Sequence, residues 1–180
     1  MKFAAHALGR PFVVAPQTIG PFTKPVSRRL AALSLRLSRI VASRDRMSTE
    51  AAHALGRADV IEASDVALRL PYDAPGPRAP GPVRVGINVS GLLMAGGYTQ
   101  KNMFGLTLDY PALMRSIIAD FRARSDGCEI HLVPHVITGR GDVEDDLAAC
   151  ALLAAEFPGT ILAPAFTSPS EAKTYIATLD

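Results

Sequence analysis

The sequence predicts an α/β protein of two lobes, each a parallel sheet with flanking helices. Two observations carry this. Apolar runs of strand length alternate with amphipathic segments of helix length on both sides of a Pro/Gly-rich stretch, and 180 residues with 48% hydrophobic content suffice for packed cores. Strands alternating with helices imply βαβ units with right-handed crossovers, so each set reads as a Rossmann-like lobe. A compact, single, doubly wound domain is the alternative reading of the same pattern.

The divider is "PYDAPGPRAPGP", residues 71–82, with seven Pro or Gly in twelve positions, which neither a helix nor a sheet interior tolerates. It is expected to link a lobe of residues 1–70 to one of residues 83–180. In the first lobe "FVVAPQTI" reads as a strand. "KPVSRRLAALSLRLS" reads as a helix with an apolar stripe of Val26, Leu30, Leu33 and Leu37 at spacings of four, three and four. "RIVAS" is a strand, "RMSTEAAHALG" a helix closed by Gly56, and "ADVIEASDVALRL" one or two short strands.

In the second lobe "VRVGINVS" is a strand, "YPALMRSIIADFRARS" a helix, "EIHLVPHVI" a strand, "VEDDLAACALLAAEF" a helix and "GTILAPA" a strand. The last helix opens with "SPSE", where Ser168 caps, Pro169 takes the first turn and Glu171 reaches back as the third residue of a capping box. The pattern looks cut at both ends. Met1 begins inside what reads as the last turns of a helix ended by Gly9, and the final helix stops at Asp180, where the alternation calls for a strand. The expectation is therefore a central part of a larger two-lobed protein, with both lobes incomplete.

The net charge of +2 hides an asymmetry: residues 1–70 carry 11 Lys/Arg against 5 Asp/Glu, whereas residues 83–180 carry 7 against 11. An anionic partner would be steered to the first part. Of the 19 basic residues 15 are Arg, which suits bidentate contacts to carboxylate or phosphate, although a GC-rich coding sequence gives the same bias. Cys128 and Cys150 sit in apolar segments without CxxC spacing and read as buried free thiols of a reducing compartment. The N-terminus makes a poor signal peptide, and no run approaches the roughly 20 apolar residues of a membrane span. A cytoplasmic location is expected, with no nucleic-acid partner.

Open parallel sheets bind ligands beyond the carboxyl ends of their strands. That rule selects Gln17 and Thr18, Arg44 and Asp45, Asn88 and Ser90, His135, and Thr167 and Ser168. Gln17, Thr18 and Gly20 form either a plain turn or a set of free amides that could meet an anion or a sugar hydroxyl. Asp45 reads as a helix cap, with Ser48 in the first turn. Arg44 stands at a helix N-terminus, where the macrodipole disfavours a cation, so it has either an anionic partner or a surface salt bridge.

His131 and His135 share one strand face, and two His without a third ligand do not make a metal site. His131 reads as structural, whereas His135 at the strand exit could act as acid, base or anion donor. Asp142, Glu144, Asp145 and Asp146 read as a solvated acidic helix start that does not fit a calcium loop. "GLLMAGGYTQKN" lacks the spacing of a dinucleotide or phosphate loop and reads as a mobile loop. No serine sits in a GxSxG elbow.

Taken in order, "PQTIGPF", "SRDRMSTEAAHALG" with "SDVALRLP", "VGINVSGL", "HLVPHV" with "DVEDD", and "SPSEAKTYIATLD" resemble the polysaccharide pyruvyl transferase family across essentially the whole chain. The resemblance implies two lobes of the glycosyltransferase-B type. It also implies transfer of a pyruvyl group from phosphoenolpyruvate onto two hydroxyls of a sugar in a bacterial exopolysaccharide or cell-wall polymer. It implies no cofactor beyond phosphoenolpyruvate as donor substrate, and a saccharide acceptor that can be lipid-linked. On that resemblance His135 is the candidate catalytic residue and Arg44, Asn88, Ser90 and His135 the candidate donor contacts. Gln17, Thr18, Gly20 and Ser48 are then the candidate acceptor contacts.

Family members continue past the equivalent of "ATLD" into an Arg-x-His segment, so this chain alone is expected to have little activity. The exposed sheet edges of incomplete lobes make self-association an expectation. A nucleotide-sugar glycosyltransferase of the same architecture and a non-catalytic remnant are the alternatives.

Overall fold

The computed structural model describes residues 4, 7–78, 80–124, 127–139 and 142–180. The chain divides into two compact units, Met1–Leu70 and Pro71–Asp180. The first contains β1 (Val13–Gln17), α1 (Pro25–Leu37), β2 (Ile40–Ser43), α2 (Arg46–Ala54) and β3 (Ile61–Glu62), followed by a 3-10 turn (Val66–Arg69). "ADVIEASDVALRL" is thus one two-residue strand and a turn, because Asp65 accepts the Ala67 N–H at 2.9 Å and coils the chain there.

The strands are parallel in the order β1-β2-β3, with Val14 opposite Val41, Gln17 opposite Ser43, and Ser43 opposite Glu62. Strands laid down in chain order through right-handed crossovers put both helices on one face. There Val14, Ile19, Leu35, Val41 and Ala52 form the core. On the other face Val13, Ile40 and Ile61 stay exposed.

Helix α1 is inverted relative to its apolar pattern. Amphipathic periodicity turns the wider apolar stripe to the core, yet α1 buries Leu35, with Ala31 and Ala32 half-buried, and leaves Val26, Leu30 and Leu33 exposed. Two contacts accompany this orientation. Leu35 packs with Val14, Ile19, Val41 and Ala52 in the core, and the mostly buried Arg57 guanidinium donates to the Leu35 and Ser38 carbonyls at 3.1 and 3.0 Å, closing the helix C-terminus. A cation at that end also suits the helix dipole. Helix α2 is capped by Asp45, which accepts the Ser48 N–H at 2.7 Å, and ends at Gly56 with φ +89°.

The second unit contains β4 (Val83–Asn88), α3 (Gly91–Met94), α4 (Tyr110–Arg122), β5 (Cys128–Val133), α5 (Asp146–Glu156), β6 (Ile161–Leu162) and α6 (Pro169–Ile176). Its sheet is again parallel in chain order, β4-β5-β6, with β4 and β5 in register from Val83–Cys128 to Asn88–Val133. Ile87, Ile130 and Leu132 pack on Met114 and Ile118 of α4 and on Ala149, Cys150 and Leu153 of α5.

The alternate residues of β5 face α6. His131 is buried there, with Nδ1 2.6 Å from the Tyr175 hydroxyl and Nε2 2.7 Å from Glu129, in a structural setting. Ser168 caps α6 by accepting the Glu171 N–H at 3.2 Å. Glu171 reaches back to the Thr167 N–H and hydroxyl, both at 2.8 Å, one residue earlier than a standard capping box.

The described part of 71–82 contains neither helix nor strand. Asp73 N–H donates to the Thr174 hydroxyl at 3.1 Å, so the start of this stretch is tied to α6. "GLLMAGGYTQKN" forms α3 followed by a chain of hydrogen-bonded turns. Gly97 N–H donates to Leu92 and Met103 N–H to Gly96, and Gln100 and Asn102 both adopt positive φ.

Candidate functional site

In the first unit the strand exits gather Gln17, Thr18, Gly20, Arg44 and Ser48. Parallel pairing sets Gln17 beside Ser43, and the next N–H, that of Arg44, donates to the Gln17 carbonyl at 3.3 Å. Gln17 and Thr18 are exposed, so their side chains and the turn they begin face solvent. Gly20 has φ +87°, which favours glycine, and a Cβ there would also stand 3.3 Å from that of Ala51, a tight contact.

Ser48 is placed differently. It is buried, and its hydroxyl accepts the Ile19 N–H at 2.9 Å, so it holds the Thr18–Gly20 turn against α2 instead of facing solvent. Arg44 finds its anion within the chain: its guanidinium lies 2.6 Å from Asp65 and 3.8 Å from Asp45, at half-exposed positions. The Ala67 N–H first, then Arg44, hold the Asp65 carboxyl below its ordinary value.

In the second unit the exits of β4 and β5 bring together Asn88, Ser90 and His135. Asn88 pairs with Val133 in the sheet, and its side-chain amide donates to the Val133 carbonyl at 2.9 Å, leaving its own side-chain oxygen available. Ser90 caps α3 through its hydroxyl, and its N–H donates to the Tyr110 hydroxyl at 3.1 Å. His135 follows two residues after Val133 and is exposed. Beyond Tyr110 a cleft of about 420 Å³ is lined by Leu93, Asn102, Phe104, Asp109 and Tyr110 among others.

The acidic run before α5 is not a solvated helix start. Asp145 and Asp146 are both buried. Asp146 accepts the Gly91 N–H at 2.7 Å on one oxygen and the His135 and Val136 N–H groups at 3.1 and 2.8 Å on the other. Asp145 caps α5 through Leu147 N–H at 3.1 Å and accepts the Thr138 hydroxyl at 3.2 Å. One carboxylate therefore clamps the β4 exit to the β5 exit, and a buried charge satisfied by three backbone donors is a strong tie. Sequence reasoning missed it, because nothing in "DVEDD" distinguishes the acid that turns inward from those beside it.

Gly91 lies against the same clamp. A Cβ there would stand 2.6 Å from the Asp145 carbonyl oxygen, so only glycine lets α3 approach α5 this closely. The Cys150 thiol, one helical turn after Asp146, is fully buried, and desolvation first, then Asp146, push its pKa up to about 12. Among the described residues no group of three or more His, Cys, Asp or Glu is placed to hold a metal ion. No helix among them is long and apolar enough to cross a membrane.

Two three-stranded parallel sheets flanked by helices, with polar side chains gathered at the strand exits, define an α/β protein of the class that binds ligands at the carboxyl ends of its strands. The chain belongs to the polysaccharide pyruvyl transferase family, whose family model matches it over residues 1–180. No curated protein and no solved structure matches it in the corresponding searches.

Proposed function

We propose that this chain serves pyruvyl transfer from phosphoenolpyruvate to two hydroxyls of a saccharide, forming a ketal, and that each unit is a Rossmann-like lobe of the glycosyltransferase-B type. The observation that carries the reading is the family match along the whole chain. The strand-exit chemistry supports it.

Phosphoenolpyruvate presents a carboxylate and a phosphate, and its enol carbon must be protonated to create the oxocarbenium-like centre that a sugar hydroxyl attacks. Phosphate then leaves as the second hydroxyl closes the ketal. In the second unit His135 is of the right type to protonate or to pair with an anion, and the Ser90 hydroxyl at the adjacent strand exit can donate to one, whereas the free Asn88 side-chain oxygen, an acceptor, suits a hydroxyl rather than the donor's anionic groups. The charge of Arg44 is met by Asp65, and on this reading the donor anion falls to His135 and Ser90 of the second unit. In the first unit the exposed Gln17 and Thr18 suit sugar hydroxyls, with Gly20 and Ser48 shaping the turn that carries them.

Ligand-induced thermal shift on the full chain tests the donor assignment. Phosphoenolpyruvate should raise the unfolding temperature in proportion to its binding, and His135→Ala should abolish the shift. Stabilisation by a nucleoside diphosphate without stabilisation by phosphoenolpyruvate would instead assign the chain to nucleotide-sugar chemistry.

A further inference from the structure

We propose that α1 docks the first unit on an anionic lipid surface. The helix presents Val26, Leu30 and Leu33 outward at 66, 49 and 39% exposure, directly opposite the Leu35 side that packs on the sheet. Phe22, also exposed, sits just before it. An apolar stripe on the solvent side of a helix is uncovered surface that calls for an occupant. The charges around it select one. Arg29 and Arg36, seven residues apart and both exposed, run along one flank of the stripe, and Lys24 and Arg39 lie at the two ends of the helix. The helix itself carries no acidic residue, and the first 44 residues contain eight Lys or Arg and no Asp or Glu.

A basic helix with an apolar stripe lies in the plane of a bilayer, its apolar side chains at the acyl boundary and its cations among anionic headgroups. At 13 residues, on the order of 20 Å, α1 can lie on such a surface but not span it. A second copy of the chain fits less well. A two-fold contact through this stripe would set Arg29 and Arg36 against their own counterparts with no carboxylate on the helix to pair them. A nucleic acid would satisfy the arginines but leave the stripe wet. The inference stands apart from the donor assignment, since it concerns a different surface and needs no turnover.

Vesicle co-sedimentation of the full chain tests it, with phosphatidylcholine vesicles compared with vesicles that also contain phosphatidylglycerol. The chain should sediment with the anionic vesicles, and less so as salt rises. Arg29→Gln with Arg36→Gln should weaken partitioning by roughly twenty-five-fold, at about fivefold for each cation near the surface. Leu30→Ser with Leu33→Ser should reduce it by at least roughly tenfold through lost apolar burial. All four side chains are exposed, so unchanged circular dichroism and unfolding temperature should accompany both variants. Failure to sediment, equal binding to phosphatidylcholine alone, or indifference to both variants overturns the proposal. So does a dimer in light scattering that Leu30→Ser with Leu33→Ser dissolves while no vesicle is bound, which would give the stripe to a second copy.

Discussion

Asp146 accepts the Gly91 N–H at 2.7 Å across a separation of 55 residues, and its second oxygen takes the His135 and Val136 N–H groups. The side chain is buried among these donors. The position of the His135 backbone is thus set by a residue on α5 rather than by its own strand alone.

Asp146→Asn keeps the shape but gives one side of the clamp an amide NH₂ that faces an N–H donor. We expect a loss of about 2–3 kcal/mol of stability in urea denaturation, the scale of a buried, charge-assisted hydrogen bond replaced by an unsatisfied donor. The phosphoenolpyruvate-induced thermal shift should shrink with it. An unchanged urea midpoint would show that the clamp contributes nothing.

Gly91→Ala and Gly86→Ala should part company. At Gly91 the added methyl meets backbone, the Asp145 carbonyl at 2.6 Å, which can yield only if α5 moves; a cost of about 1–3 kcal/mol is expected. At Gly86 the methyl would stand 2.5 Å from the Leu179 Cδ1, the end of a flexible side chain that can change rotamer, and the cost should be smaller. Thermal denaturation of the pair decides the matter by its order.

The two thiols should differ in reactivity. Cys150 is fully buried with its pKa at about 12, whereas Cys128 is partly exposed. Thiolate is the reactive form. A thiol reagent applied to the native chain should therefore modify Cys128 and reach Cys150 only on unfolding, as mass spectrometry of the two peptides would show. Modification of Cys150 at the same rate as Cys128 would contradict its burial.

Acid should destabilise the chain through its capping carboxylates. Asp45 is held below its ordinary value by Ser48, Asp65 by the Ala67 N–H and then Arg44, Glu171 by Thr167, and Asp180 by the Arg84 N–H and then Arg78. Each has a lower pKa folded than unfolded, so the unfolded chain binds more protons as pH falls. The contribution is present above the unfolded values, 3.8 for Asp and 4.5 for Glu, and is lost as pH falls through the lowered folded ones. Unfolding temperatures measured down that range should decline, and Asp45→Asn should flatten the decline. Glu171 and Asp180 are exposed and Asp45 and Asp65 half-exposed, so each individual effect is small.

The two parallel sheets were legible because their strands are β-branched runs separated by helices of ordinary length, and Asp45 and Ser168 announced their helix starts. Periodicity alone did not give the orientation of α1. Its wider apolar stripe is a valid core face by spacing, yet the face that carries Leu35 turns to the core, where Arg57 ties the helix end down. The role of Ser48 was hidden for a related reason. A serine in a first helical turn looks solvent-facing until Ile19, 29 residues earlier, is known to lie over it. Asp146 was hidden more deeply still, since its partner Gly91 carries no side chain to signal the contact.

The stretch between Gly91 and Tyr110 hangs from two fixed points: Gly91 is held by Asp146, and the Tyr110 hydroxyl by the Ser90 N–H. Its turns are closed among themselves, as between Gly96 and Met103 and between Asn102 and Leu106. Insertions, deletions or substitutions between these posts should therefore leave the strand exits in place while they reshape the lining of the neighbouring cleft.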